Sequence, residues 1–253
     1  MLPYDRREGI INLLKNKKSV SVDEFCTSLY ASPATIRRDL AALEREGMIR
    51  RIRGGALLLS EHSHEVPFTL REKDQTDKKE KMASLAVQLI KDDQKIFLDS
   101  SSSVLRLARK LDRFKGLTIL TNGNETSKDL GERTSAEVYC TGGRVRENSA
   151  SLVGAQTCEY IARHNADIAF LSCRGLDPTI GATVSTEDEA IVKRQFSLHA
   201  KIVVLLCDSS KFNKQYFYTS IPMNKISVIV TDREVSQDFY NVAKQNNIKI
   251  ISS

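Results

Sequence analysis

Seven short runs that are apolar on both faces punctuate the last two thirds of the chain: KIFLD at 95–99, LTILT at 117–121, EVYCTGG at 137–143, DIAFLS at 167–172, KIVVLLCD at 201–208, ISVIVTD at 226–232 and IKIIS at 248–252. Segments of helix length separate them. A strand that is apolar on both faces must be covered on both, and helical crossovers make neighbouring strands parallel. The pattern therefore predicts an α/β domain over residues 76–253, with a mostly parallel sheet between helical layers.

Ligands of such sheets bind beyond the carboxyl ends of the strands. The first run ends in DSSSS (99–103), the second in TNGN (121–124), the third in TGGR (141–144) and the fifth in DSSK (208–211). Serines where a helix starts offer hydroxyl and backbone N–H groups to an anion, and Lys211 offers a neutralising charge. Asp99 and Asp208 would repel a phosphate, so sugar hydroxyls or cap N–H groups are their expected partners. A phosphorylated sugar meets both demands. The same residue types also serve ordinary turns and helix caps, which leaves that plainer role open.

The first 58 residues follow another rhythm. Ile10, Leu13 and Leu14 mark one helix, Val22, Phe25, Cys26 and Leu29 a second, and Ile36, Leu40 and Leu43 a third. Ser21 with Glu24 forms a capping box, and Ser32 before Pro33 gives a cap followed by a residue with no N–H to satisfy. Only YAS lies between the second and third helices, a spacing that predicts helix-turn-helix. With its apolar stripe turned inward, the third helix presents Ala34, Arg38, Ala41 and Arg45, flanked by Thr35 and Arg37. Small residues allow close approach and the arginine fork suits guanine or phosphate, as a major-groove reader requires. Gly47 ends this helix. MIRRIRGGALL then predicts a hairpin in which Met48, Ile49 and Ile52 pack while Arg50, Arg51 and Arg53 project as a wing.

Charge supports a polyanionic partner for this part. Of 253 residues with a formal net charge of +6, the first 60 hold eleven Lys or Arg against seven Asp or Glu. Residues 59–75 are mostly polar and predict a linker in which His62 and His64 are solvated. No run approaches the length of a membrane span and MLPYDRREGI carries no secretory signal, so a cytoplasmic protein is expected. The five cysteines form no C-x-x-C pair, predicting reduced, mostly buried thiols with no metal site and no cofactor.

The stretch SVSVDEFCTSLYASPATIRRDLAALEREGMIRRIRGGA resembles the amino-terminal domain of the DeoR family of bacterial transcriptional regulators, with its TIRRDL…LE…G helix and arginine-rich Gly-Gly-Ala wing. The resemblance implies a DNA surface at Ser32, Ala34, Thr35, Arg37 and Arg38, with Arg51, Arg53, Gly54 and Gly55 in the wing. The order LDSSSS…LTILTNG…TGG…SLVG…ADIAFLSCRGLD…CDSSKF resembles the family's sensor domain, related in fold to sugar-phosphate isomerases. It implies an effector site near Asp99, Ser101, Ser102, Ser103, Thr121, Asn122, Gly142, Gly143 and Lys211, with Lys193 from STEDEAIVKRQF. LSCRGLD departs from the smaller residues of many relatives, so Cys173 and Arg174 alter the size or charge of the pocket.

The expected function is repression of a carbohydrate operon by a dimer or tetramer bound to double-stranded DNA and controlled by a phosphorylated sugar. Two other classes stay open: a ligand-free architectural DNA binder, and an isomerase-like enzyme carrying a DNA-binding head. The second would need a base from Glu187, Asp188 or Glu189, residues whose place at a helix start already suits the helix dipole.

Overall fold

The computed structural model describes residues 3–17, 19–45, 48–58, 68–147 and 149–253. The chain divides into two units, Met1–Leu70 and Arg71–Ser253.

The first unit runs α1 (Pro3–Lys17), β1 (Ser19–Ser21), α2 (Val22–Leu29), α3 (Pro33–Arg45), β2 (Ile49–Ile52) and β3 (Gly55–Leu58). Both predicted helix starts are capped: Ser21 Oγ accepts from Glu24 N at 3.2 Å, and Ser32 Oγ accepts from Thr35 N at 3.3 Å. The Glu24 carboxylate goes to Lys17 rather than back across the capping box. Ile10, Leu14, Phe25, Ile36, Leu40, Leu43 and Ile49 close one core, each full burial contributing about 1.5–3 kcal/mol. Ile52, expected to pack, is 44% exposed. Strand alternation explains this, since it shares the outward face of β2 with Arg50 while Ile49 points in.

β1, β3 and β2 form an antiparallel sheet in that order. Gly54 makes its turn with φ 83°, a left-handed conformation that favours glycine. A Cβ on Gly55 would lie 2.3 Å from the Val20 carbonyl oxygen and 2.9 Å from Ser21 Cα. Gly55, expected at the DNA surface, thus has a packing duty inside the sheet. Gly55→Ala is expected to destabilise this unit by about 1–3 kcal/mol, read as a lower urea midpoint, with operator binding falling only as far as the folded fraction does.

Within the expected linker the chain forms α4 (Phe68–Lys73), and α5 (Thr76–Ala86) starts directly after it; residues 59–67, with His62 and His64, lie outside the described residues, as does Gly47. Lys79, 5% exposed, explains how so short a helix ends: its Nζ donates to the carbonyls of Arg71 and, at 2.6 Å, of Asp74.

Then follow β4 (Lys95–Leu98), α6 (Ser102–Ala108), β5 (Thr118–Thr121), α7 (Asn124–Arg133), β6 (Glu137–Cys140), β7 (Arg144–Arg146), β8 (Ser151–Val153), α8 (Ala155–Ala162), β9 (Ala166–Ser172), β10 (Gly175–Asp177), β11 (Gly181–Val184), α9 (Glu187–Leu198), β12 (Ala200–Leu206), β13 (Tyr218–Pro222), β14 (Val228–Val230), α10 (Gln237–Gln245) and β15 (Lys249–Ile251). All seven predicted strands pair in one sheet, ordered β15-β14-β12-β9-β4-β5-β6, every pairing parallel. Alternation sends Phe97 to one face, against Phe196 of α9, and Ile96 and Leu98 to the other, against residues of α5 and α6.

Two features differ from expectation. β6 is an edge strand whose four residues all stay wholly or partly exposed, so it is not covered on both faces. Two smaller antiparallel groups, β7-β8 and β10-β11-β13, accompany the main sheet. The thiols also divide: Cys173 and Cys207 are buried, Cys26 and Cys158 half-buried and Cys140 exposed.

Candidate DNA-reading surface and ligand cleft

On the first unit, Ser32, Ala34, Arg37 and Arg38 are exposed and Thr35 is half-buried. Ser32 and Thr35 also share a side-chain hydrogen bond of 2.9 Å at the start of α3. Among the described residues, Arg37, Arg38 and Arg53 have no ion-pair partner, so their charge faces outward uncompensated. Arg51 differs: its Nε donates to Glu44 Oε2 at 2.5 Å and its backbone N–H to Oε1 at 2.8 Å, anchoring the wing strand to α3. Sequence reading missed Asp39, which is buried on α3 and held by Arg6 at 2.5 Å and Arg7 at 3.5 Å. A carboxylate in the middle of a basic segment was its visible signal.

In the second unit the strand order reverses between β4 and β9. β4, β5 and β6 run outward to one side in chain order, and β9, β12, β14 and β15 to the other, so the carboxyl ends of β4 and β9 diverge into a crevice. Asp99 sits there, 1% exposed. Its Oδ1 accepts from Ser101 N and its Oδ2 from Ser172 N, both at 2.8 Å, and Lys193 Nζ donates to Oδ2. A buried ion pair persists only when its remaining polar atoms are also satisfied, as these are. A tight cleft with an empty volume of about 190 Å³ lies beside it, lined by Asp99, Ser100, Asn122, Ser151, Glu189 and Lys193. Asn122, 3% exposed, donates to Leu152 O at 3.0 Å, yet its Oδ1 has no hydrogen-bond partner.

Of the expected effector residues, then, Asp99, Asn122 and Lys193 converge on this cleft. The others are occupied differently. Ser101 Oγ caps α6 by accepting from Val104 N at 3.3 Å, and Ser102 and Ser103 are buried in that helix. Thr121 is buried, its Oγ1 accepting from Gly123 N at 3.1 Å. Gly142 and Gly143 turn the chain toward β7, and the Gly142 carbonyl accepts from Thr157 Oγ1 at 2.7 Å. Lys211 lies 3.3 Å from Asp208 Oδ2 and donates to Ser172 Oγ at 3.2 Å.

Sequence reading named Glu189 only as a possible base and Arg174 only as altering the pocket's size or charge, and it missed Arg71 and Arg146. Glu189 Oε2 lies 3.6 Å from Arg146 Nη1 and its Oε1 lies 3.5 Å from Lys193 Nζ. Arg71 Nη2 donates to Ser149 O at 3.5 Å, and the Ser149 and Ser151 hydroxyls are 2.6 Å apart. Burial lowers the Arg71 pKa to about 10 and the Lys79 pKa to about 8. Burial alone would raise Glu189, but Lys193, Arg146, Arg71 and Arg174 together hold it below the ordinary glutamate value of 4.5. Asp208 follows the same logic, with Lys211 outweighing desolvation to bring it below 3.8.

Both carboxyls have depressed folded-state values, so their stabilisation is complete above the ordinary values and is lost as pH falls through the folded ones. The second unit is therefore expected to keep a constant urea midpoint from neutrality down to pH 4.5 and to lose stability steeply below it. Glu189→Gln should make that fall shallower. A midpoint that declined already between pH 7 and 5 would contradict the assignment.

Residues 6–62 match the DeoR-like helix-turn-helix domain, and residues 74–233 match the DeoR C terminal sensor domain. The chain belongs to the DeoR family. It is a DNA-binding transcriptional regulator, not an enzyme. The regulator is 30% identical over 251 residues to the HTH-type transcriptional repressor GlcR of Bacillus subtilis (strain 168), covering 99% of this chain and 96% of that one. To the HTH-type transcriptional regulator GolR of Listeria innocua it is 33% identical over 240 residues, covering 95% and 94%. Among solved structures, a D-ribose-5-phosphate isomerase in complex with phospho-erythronic acid aligns with TM-score 0.40 and 14% identity, over 53% of this chain and 52% of that one. No helix among the described residues is long and apolar enough to cross a membrane.

Proposed function

We propose that the regulator is a cytoplasmic repressor of a carbohydrate-metabolism operon, released from its operator by a phosphorylated sugar bound in the cleft at the ends of β4 and β9. The observation that carries the ligand reading is Asn122 Oδ1, a buried acceptor with no partner on the wall of a cleft at the topological switch point. A buried carbonyl left unpaired costs about 1–3 kcal/mol, and a sugar hydroxyl donating to it recovers that cost. Asp99 and Lys193 set the polarity of the same wall.

Thr35, Arg37 and Arg38 read the operator from α3, and Arg51 and Arg53 bring the wing to the backbone. Helix-turn-helix heads gain affinity by pairing on half-sites, so the working form is a dimer or tetramer joined through the sensor domain. The test is a titration of the full chain onto DNA from upstream of its own gene and neighbouring genes, at one stated salt concentration, with a panel of sugar phosphates. Specific binding released by one of them supports the reading. Specific binding untouched by every compound would refute control by a phosphorylated sugar, and a monomer by size exclusion at micromolar concentration would refute the assembly.

A further inference from the structure

Two buried thiols meet at the carboxyl ends of β9 and β12. The register of these parallel strands runs to Ser172 against Leu206. Cys173 and Cys207, one position further on, therefore face each other across neighbouring strands, and both join the same core. Their sulfurs lie 3.8 Å apart. Neighbouring strands are spaced about 4.8 Å apart, inside the Cα separation of about 4.4–6.8 Å that a disulfide spans, and side-chain rotation can bring the sulfurs to a bonding distance of about 2.05 Å.

The two sulfurs are not equivalent. Cys173 keeps 6% of its surface exposed and Cys207 none. The hydrogen bond shared with Cys207, aided by the charges of Lys211 and Lys193, outweighs burial and holds the Cys173 thiol below its ordinary value of 9.0. Burial and the neighbouring sulfur push Cys207 well above that value. Thiolates, not thiols, attack peroxides, and a sulfur in cationic surroundings beside a second thiol is the arrangement that oxidises reversibly.

We propose that Cys173 and Cys207 form a hydroperoxide-driven redox couple, with Cys173 the sulfur oxidised and Cys207 the one that resolves it. The Cys173 thiolate attacks one oxygen of hydrogen peroxide and the O–O bond breaks. The departing hydroxide takes up the proton that Cys173 gave up and leaves as water, and Cys173 becomes a sulfenic acid. Cys207 then attacks that sulfur; the S–S bond forms, the S–O bond breaks, and hydroxide leaves with the Cys207 proton as a second water. The two thiols lose two electrons in all and the peroxide gains them. In a reducing compartment the pair rests as the dithiol. The linkage ties the residue after Ser172 to the residue before Asp208, the two groups that hold Lys211, so oxidation stiffens that part of the sheet's rim.

The test uses the full chain carrying Cys140→Ser, which removes the exposed thiol and with it cross-linking between molecules. Hydrogen peroxide in small excess should lower the thiols counted in denaturant from the four that remain of five to two, dithiothreitol should restore all four, and peptide mass spectrometry should find Cys173 joined to Cys207. Adding Cys207→Ser should instead hold Cys173 as a sulfenic acid that dimedone captures, and adding Cys173→Ser should leave Cys207 unreacted. A count that stays at four in folded protein overturns the couple, as does loss of thiols without the Cys173–Cys207 linkage, or a linkage that forms only in urea. Should either additional serine variant fail to fold, the linkage map decides alone. Operator release by sugar phosphates plays no part in these readouts, so the functional reading and the redox couple stand or fall separately.

Discussion

Lys193→Met is expected to destabilise the sensor unit by roughly 3–5 kcal/mol, the usual consequence of leaving a buried charge without its partner. Asp99 would keep its two backbone N–H donors but lose the ammonium, and Glu189 would lose the nearer of its two ion-pair contacts. Urea unfolding followed by far-ultraviolet circular dichroism measures the effect. The double variant Asp99→Asn, Lys193→Met should recover a large part of the loss, because it removes the stranded carboxylate as well as its partner. If the single substitution lowered stability by less than about 1 kcal/mol, the ion pair would have to be wet enough for water to replace the lysine.

The second large effect falls on DNA. Arg38→Ala is expected to weaken operator binding by about 1–3 kcal/mol, roughly tenfold to a hundredfold, and the pair Arg37→Ala, Arg38→Ala by more. Both side chains are exposed with no ion-pair partner among the described residues, so the melting temperature should not change. Two measurements separate their roles. An arginine on phosphate lowers the slope of log affinity against log salt by about one, whereas an arginine on a base edge changes the ranking of operator variants instead. Affinity unaltered by the double substitution would mean that α3 is not the reading helix.

How much of this was visible in the residues varies by element. The seven strands of the main sheet were legible because each is apolar on at least one face and bounded by turn chemistry, a pattern that survives without knowing the partners. β6 misled for the same reason: Val138, Tyr139 and Cys140 read as a strand apolar on both faces, but edge position is a property of sheet order. β7, β8 and β10 are three residues each, too short to show a period. Cap chemistry was legible at Ser21 and Ser32, and at Ser101 the observed cap stands beside the expected ligand role. Asp99, Asn122 and Lys193 could be proposed from strand ends and resemblance. Arg174 stood out beside a strand end, while Arg71 and Arg146 did not, because nothing local distinguishes an arginine that will meet a carboxylate far along the chain from one that will face water.

The seam between β4 and β9 also fixes when the cleft comes into being. Asp99 and Ser172 are 73 residues apart in sequence, whereas β4 pairs with β5 and β5 with β6, each with the next strand along the chain. Pairing of such distant segments carries the larger loop-closure entropy and tends to complete late. Each half of the sheet can then assemble while the ligand site is still in two pieces. A ligand that needs both pieces recognises only the finished sheet, so it should slow unfolding while leaving the folding rate nearly untouched. For a repressor emerging from the ribosome, the sugar signal would act as a holder of completed molecules and not as a helper of their formation.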